Sequence, residues 1–117
     1  MDNSRIYAMP FIKVYSLLVN KAIRKGRQKS DVDEIISWLT GYAINDIDGI
    51  ANSDLTYGDF FQKAPRMNPE RFKIKGTICK IRIEEIADPM MKDIRILDKL
   101  IDDLAKGKDP LKVLSEH

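Results

Sequence analysis

The fold is decided by residues 88–107, which read DPMMKDIRILDKLIDDLAKG. Asp88 is a favourable N-cap residue, and Pro89 suits a first helical turn because that position needs no backbone N–H. Apolar side chains then recur along one face at steps of four and three residues, at Met90, Ile94, Leu97, Ile101 and Leu104. This spacing predicts an amphipathic helix over 89–106, about 27 Å long, that Gly107 ends.

A second apolar helix is predicted over 10–25, because apolar side chains share one face at helical spacing: Phe11, Val14, Tyr15, Leu18 and Ala22. An adjoining apolar stripe consists of Ile12, Val19 and Ile23. We therefore expect a central helix that is covered on most sides and that Gly26 ends with a left-handed cap. The next helix opens at Ser30, which with Asp33 resembles a capping box, and ends at Gly41. The short link between these two helices predicts a helical hairpin.

The segment 44–65 is interrupted by Asn, Asp and Gly residues and predicts only short helical pieces. One of these pieces begins at Thr56, which with Asp59 forms a capped start. Asn68-Pro69-Glu70 is a further helix start, since it combines an N-cap residue, a proline at the first position and an acid in the first turn.

Residues 72–86 fit two structures. The apolar residues at the beginning of this segment alternate as in a strand, whereas Ile74, Ile78 and Ile81 fit helical spacing equally well. An isolated hairpin is only marginally stable unless it packs on other elements. We favour helix or irregular structure here, and a short hairpin around 72–83, within an α+β fold, is the alternative.

Together these elements predict a mainly α fold, an irregular, orthogonal bundle of five to six helices. The helices over 10–25 and 89–106 are expected to form its centre. The whole chain, 1–117, is expected to be one domain, since its length supports one core but not two. Residues 1–9 are predicted to be an extended N-terminal arm. An Asp-Pro pair predicts a short tail helix over 109–117.

The composition excludes several classes of protein. With 44% hydrophobic and 32% charged residues, the chain differs from disordered and collagen-like sequences. No run approaches the roughly 20 apolar residues of a membrane span, so we expect no membrane partner. The first nine residues lack the pattern of a signal peptide. Because Cys79 is the single cysteine, no internal disulfide can form, and a cytoplasmic location is expected.

The residue inventory also argues against common catalytic sites. A structural zinc site needs about four Cys or His ligands, and the chain has only Cys79 and His117. A Ser-His-Asp or Cys-His site needs an internal base, and His117 is the last residue. No nucleophile elbow, phosphate-binding loop or dinucleotide fingerprint occurs. We therefore expect no metal and no cofactor, assign no catalytic residue, and favour a protein that is not an enzyme.

Two basic windows are the main candidates for a binding site. The first basic window spans 21–29 and contains Lys21, Arg24, Lys25, Arg27 and Lys29. The second basic window spans 66–82, and its central cations are Arg71, Lys73 and Lys75. Phe72 lies among these cations and could stack on a base. If both windows face one side, they form a site for nucleic acid or another anion. The alternative is a solvated surface balanced by acids, which agrees with a net charge of only +2.

Aromatic residues offer a second candidate site. Tyr7, Trp38 and Tyr42 could line a ligand-binding cleft. The alternative is that they belong to the core and its edge, where large aromatic side chains are common in a small helical protein.

Several motifs follow one another along the chain: Arg5-Ile6-Tyr7-Ala8-Met9-Pro10-Phe11, Trp38-Leu39-Thr40-Gly41-Tyr42, Phe60-Phe61, Asn68-Pro69, Gly76-Thr77-Ile78-Cys79 and Asp88-Pro89-Met90-Met91. Jointly they resemble the family of small bacterial cytosolic proteins called domain of unknown function 2200. The resemblance covers nearly the whole chain and implies a mainly helical fold. It implies no activity and no catalytic residues. Members usually carry glycine after the cysteine, where this chain has Lys80.

Two functions follow as hypotheses. The favoured one is a non-enzymatic interaction module that binds nucleic acid or a protein partner through the basic windows. The alternative is a small enzyme or ligand-binding protein that uses a Tyr/Trp-lined cleft. One continuous basic face without a deep pocket favours the first, whereas a pocket above about 300 Å³ that contains Tyr and Asp side chains favours the second.

Overall fold

The computed structural model describes residues 3–78 and 80–109 of the chain. Within these residues there are six α-helices: α1 (Ser4–Tyr7), α2 (Phe11–Arg24), α3 (Lys29–Thr40), α4 (Ile47–Ala51), α5 (Tyr57–Gln62) and α6 (Pro89–Ala105). The strands β1 (Thr77–Ile78) and β2 (Ile81–Arg82) form an antiparallel hairpin, and 3-10 turns cover Ile44–Asp46, Pro69–Lys73 and Ile83–Glu85. The predicted mainly α fold of five to six helices is confirmed.

The core lies around α6, which packs against α2, α3 and α5 and also against β1 and the 3-10 turn that follows the hairpin. Ile96, Leu97 and Ile101 are fully buried there. The helix begins as the sequence predicts, because the Asp88 carboxylate accepts hydrogen bonds from the backbone N–H of Met90 at 3.0 Å and of Met91 at 3.4 Å. Burial of one continuous apolar face therefore fixes α6 at the centre of the fold.

The helical hairpin of α2 and α3 is present, but its second helix begins earlier than predicted. Gln28, not Ser30, is the N-cap residue, and its backbone N–H donates to the Asp31 carboxylate at 3.0 Å. Gly26 and Gly41 adopt φ of 80° and 82°, the left-handed conformation predicted for the first of them. Because Gln28 is the N-cap residue, Asp33 takes no part in capping. The Asp33 carboxylate is buried and accepts a hydrogen bond from Tyr15 on α2.

Neighbouring elements bury less of the apolar surface of α2 than the sequence predicts. Ile12, Leu17 and Ile23 are 38%, 61% and 53% exposed in the described structure. The sequence pattern treats Ile12 and Ile23 as a second buried stripe, but the neighbouring helices pack on one side of α2 only. An apolar surface is therefore left in contact with solvent.

The predicted extended arm over 1–9 is wrong for its described part, because Ser4–Tyr7 forms one helical turn. The carbonyl of Asn3 accepts hydrogen bonds from the backbone N–H of Ile6 and Tyr7. This turn packs on α5, where a Cβ on Gly58 would lie 3.2 Å from the Tyr7 Cβ. Such a short helix is stable only through tertiary packing, which local sequence does not reveal. The predicted tail helix over 109–117 lies outside the described residues from position 110 onward.

The ambiguous segment contains both irregular helix and a hairpin, so the preference for helix or irregular structure is wrong for residues 77–82. Thr77 pairs with Arg82 and Ile78 with Ile81. Gly76 and Lys80 have φ of 117° and 65°, which no helix accommodates. The hairpin is nevertheless a minor part of a mainly helical fold.

Candidate functional site

Cations of the first basic window bind groups at the C-terminal end of α6. Lys21 forms an ion pair with Asp102 at 3.1 Å, and Arg27 donates from Nε to the carbonyl of Leu104 at 3.0 Å. A cation is favourable at this position because helix C-terminal carbonyls carry partial negative charge. Lys21 and Arg27 therefore hold the α2–α3 link against α6.

Lys29 belongs to a polar cluster, which we call the Tyr15 cluster and which also contains Tyr15, Asp33 and Asp48; Tyr15 and Asp33 are buried, whereas Lys29 and Asp48 are exposed. The Lys29 Nζ lies 2.9 Å from Asp33 and 2.8 Å from Asp48, and the Tyr15 hydroxyl donates to Asp33 at 2.5 Å. Burial, together with the hydrogen bond to Asp33, raises the pKa of Tyr15 to about 12. The carboxylates of Asp48 and Asp33 raise the pKa of Lys29. Both groups stay protonated near neutral pH, and their contacts with Asp33 and Asp48 join α2, α3 and α4.

This cluster was not predicted from the sequence. Asp33 was predicted to be part of a helix cap, whereas in the fold its buried carboxylate accepts a hydrogen bond from the Tyr15 hydroxyl. The available signal was Tyr15, which places a hydroxyl group within the apolar face of α2. A buried tyrosine hydroxyl normally forms a hydrogen bond, so a polar partner was to be expected.

Arg24 and Lys25 complete the first basic window, and both are exposed. Neither forms an ion pair with another residue of the described structure. Arg24 and Lys25 are therefore the side chains of this window that can contact an external anion without breaking an ion pair or hydrogen bond to another helix.

The second basic window surrounds an exposed aromatic ring. Phe72 is 53% exposed, with the Arg71 guanidinium carbon 4.3 Å and the Lys92 Nζ 5.5 Å from the centre of its ring. Two contacts hold the Arg71 guanidinium in place. Its Nε lies 2.8 Å from Asp93, and its Nη1 donates to the carbonyl of Asn68 at 2.9 Å. We call Phe72, Arg71 and Lys92 the Phe72 platform. Lys92 was not predicted to belong to this surface, because it lies 20 residues away on α6 and gives no local signal.

Lys73 and Lys75 extend the basic surface beside the Phe72 platform. Lys73 pairs with Glu70, three residues earlier, and both side chains are exposed. Such an exposed pair contributes only about 0–1 kcal/mol, so an external anion can replace Glu70. Lys75 is exposed and has no ion pair with the described part of the chain.

The two windows are anchored on opposite sides of α6. Their internal partners, Asp102 for Lys21 and Asp93 for Arg71, are separated by nine positions of one helix. This is two and a half helical turns, which places the two carboxylates on opposite faces and about 14 Å apart along the axis. The two anchoring cations therefore belong to separate surfaces.

The aromatic candidates fall in three different environments. Tyr42 is a core residue whose hydroxyl donates to the carbonyl of Phe60 at 2.6 Å. Tyr7 donates to the Asp88 carboxylate at 2.6 Å, and burial together with this contact raises the pKa of Tyr7. Trp38 lines an open cleft of about 390 Å³. Of the three candidates, only Trp38 therefore faces this cleft.

The Trp38 cleft lies where the end of α3 meets the following loops, and it is lined by Trp38, Gly41, Arg66, Asn68, Pro69 and Glu70. The loop is held by the backbone N–H of Asn68, which donates to the carbonyl of Leu39 at 2.9 Å. The volume exceeds the 300 Å³ scale of a ligand site. Its lining contains neither the Tyr nor the Asp side chains that the cleft hypothesis expects.

Residues 5–115 match the model of a family described as an uncharacterized protein conserved in bacteria, DUF2200. The chain belongs to this family. The crystal structure of the uncharacterized protein SP1917 is similar to it, with 49% sequence identity, a TM-score of 0.91 and coverage of 99% of this chain and 94% of that one. No curated protein matches the sequence significantly. The resemblance inferred from the sequence motifs is thus confirmed. Because both descriptions are of uncharacterized proteins, any function of the DUF2200 chain has to be inferred from its own side chains.

Two features are absent from residues 3–78 and 80–109 of this DUF2200 chain. No helix there is both long enough and apolar enough to cross a membrane. No group of three or more His, Cys, Asp or Glu side chains there is arranged to hold a metal ion.

Proposed function

We propose that this protein is a non-enzymatic interaction module and that its Phe72 platform binds single-stranded nucleic acid. The observation that carries the proposal is an exposed aromatic ring with two cations within 5.5 Å of its centre. Proteins that bind single strands combine such a stacking surface with cations that follow the backbone.

Each residue of the surface has a distinct role in this proposal. Phe72 stacks on a base, while Lys73, Lys75 and Lys92 contact phosphates. Arg71 positions the ring, because its guanidinium is already committed to Asp93 and to the carbonyl of Asn68. From the first basic window, Lys21, Arg27 and Lys29 keep the internal contacts described above, and Arg24 and Lys25 remain as exposed cations outside this surface.

The titration behaviour of the buried tyrosines supports a non-enzymatic role. Burial raises the pKa values of Tyr42 and Tyr57, and that of Tyr15 reaches about 12. General acids and bases instead have pKa values tuned towards neutral pH. These three tyrosines therefore suit packing better than proton transfer.

The expected binding is weak, salt-dependent and insensitive to sequence. Three phosphate contacts give a slope of about −2 for log affinity against log salt, from about −0.7 per contact with single strands. Phosphate contacts position a strand but read no bases. Phe72→Ala should cost about 1–3 kcal/mol of binding free energy if the ring stacks.

The test is a fluorescence-anisotropy titration of labelled single-stranded RNA and DNA at low and near-physiological salt. The variant Lys73→Glu/Lys75→Glu should lose binding. Arg24→Glu/Lys25→Glu is the matched control, because it makes the same change in net charge on a different surface. Equal losses in both variants would show a response to net charge alone. Absence of binding at low salt with tens of micromolar protein would refute the proposal.

A second candidate function, binding of a small ligand in the Trp38 cleft, is supported by the volume of about 390 Å³ and the exposed Arg66 at its edge. Trp38 is the single tryptophan of the chain, so its fluorescence reports on this cleft. Titration with small carboxylates and mononucleotides should change the emission of the wild-type protein and not that of Arg66→Ala. No change with any of these probes would argue against the cleft.

A further inference from the structure

The exposed face of α2 contains a groove that the proposed function does not use. It has a volume of about 520 Å³ and is lined by Met9, Ile12, Lys13, Ser16 and Leu17. At 100° per residue, Ser16 lies between Ile12 and Leu17 around the helix axis. The groove therefore has a small serine between two exposed apolar side chains. A soluble protein rarely leaves such a surface uncovered without a binding role.

The charges around this groove define what can cover it. α2 contains no acidic residue, and its exposed face carries the cations Lys13 and Arg24. Neither cation forms an ion pair within residues 3–78 and 80–109. We infer that the α2 groove binds an acidic amphipathic helix of a protein partner, with apolar side chains in the groove and carboxylates opposite Lys13 and Arg24.

Two other occupants fit the groove less well. In a second copy of this chain, the same face would bring cations against cations with no acid on either helix. A lipid surface would contact a continuous apolar ridge better than a groove whose lining also contains the polar residues Lys13 and Ser16. An acidic helix satisfies both the apolar side chains and the unmatched charge, as in other helix-in-groove interfaces.

The geometry sets the length of the partner segment. Lys13 and Arg24 are separated by 11 positions, or about 16 Å along the helix axis. A partner helix of about three turns spans this distance. Its acids would therefore lie near both ends, with the apolar residues between them at steps of three and four.

The experiment uses a fluorescein-labelled amphipathic peptide of about 15 residues, with leucines on one face and glutamates near both ends. A second peptide has lysines in place of the glutamates. We expect the full chain to bind the glutamate peptide at least about tenfold more tightly than the lysine peptide, a difference of about 1.4 kcal/mol. The charge-reversed variant Lys13→Glu/Arg24→Glu should show the opposite preference, which loss of folding cannot mimic.

Matched apolar variants locate the binding surface. Leu17→Asn should weaken binding of the glutamate peptide at least about tenfold, as expected for an interface anchor. Ile81→Asn changes another exposed apolar residue, 42% exposed on β2, and should leave binding unchanged. Phe72→Ala should not affect peptide binding and Leu17→Asn should not affect nucleic-acid binding, so this inference and the proposed function can fail separately.

Three results would overturn the inference. The first is equal affinity of the wild-type chain for both peptides. The second is dimerisation that Leu17→Asn abolishes, measured by sedimentation, which would make a second copy the occupant. The third is binding to vesicles that contain phosphatidylglycerol, lost in Leu17→Asn, without binding of either peptide.

Discussion

Replacing Leu97 with alanine tests whether α6 is the centre of the core. Leu97 is fully buried, and its neighbours on the same helix, Ile94, Leu100 and Ile101, are buried too. Because these side chains sit on one rigid helix, the site cannot collapse easily around the missing atoms. The loss then combines the transfer term with a cavity term, and we expect about 3–5 kcal/mol, the upper part of the range for such substitutions.

This loss is large compared with the total stability of a small protein, about 5–15 kcal/mol. In urea denaturation at an m-value of about 2 kcal/mol/M, the midpoint should fall by about 2 M. Leu17→Ala is the matched control, because the same atoms are removed from a side chain that is 61% exposed. It should change stability by less than about 0.5 kcal/mol, as surface substitutions do.

A loss below about 1 kcal/mol for Leu97→Ala at an unchanged m-value would refute the placement of this face in the core. So would equal effects of the two substitutions, since the argument depends on the difference in burial. A change in m-value would indicate an altered denatured or native state and would require the comparison to be made by a second probe.

Three further substitutions test the contacts that position the helices. Tyr15→Phe removes the donor to buried Asp33 and should cost about 1.5–3 kcal/mol by urea denaturation. Most of this loss should be absent in an Asp33→Ala background, which lacks the acceptor, and full additivity of the two changes would argue against the contact. The ion pairs with Lys106 and Lys21 lower the pKa of Asp102, so its contribution to stability is present above the pKa that Asp102 has in the unfolded chain and is lost as pH falls through the lower pKa of the folded protein. Asp102→Asn should therefore destabilise the protein at neutral pH but not at strongly acidic pH. A constant difference in unfolding free energy across that range would contradict this prediction. Gly41→Ala should destabilise the protein by more than about 1 kcal/mol, because φ is 82° and the new Cβ would lie 2.9 Å from the backbone of Arg66. The control is Gly49→Ala in α4, whose new Cβ would meet nothing within 4 Å and which should stabilise the protein slightly in the same thermal melts. Equal effects of the two substitutions would contradict the left-handed cap at Gly41.

The main helices followed from the sequence because their causes are local. The apolar steps along α6 and the Asp88-Pro89 start need only the geometry of one helix and of its cap. The same holds for α5, where Thr56 accepts a hydrogen bond from the backbone N–H of Asp59 at 3.1 Å, as predicted. Helix spacing and capping act over four residues, and such signals survive without knowledge of the rest of the fold.

Binding residues were predictable as types but not as a surface. The cluster of cations around Phe72 was visible in the sequence, whereas Lys92 reached it only through packing of α6. Likewise, the sequence could not show that Lys21 and Arg27 bind groups on α6. Whether a cation is free for a ligand depends on long-range neighbours, and these exist only in the folded chain.

By itself, the sequence determined the family, the mainly helical fold and the positions of α2, α3 and α6, because periodicity and motifs act along the chain. Only the tertiary structure decided that Thr77–Ile78 and Ile81–Arg82 pair as strands, since burial of Ile78 and Ile83 near α6 outweighs an ambiguous local pattern. It also decided which apolar face of α2 stays exposed at Leu17. Each helix has more apolar surface than one neighbour can cover, and the packing of the other elements determines what remains for a partner.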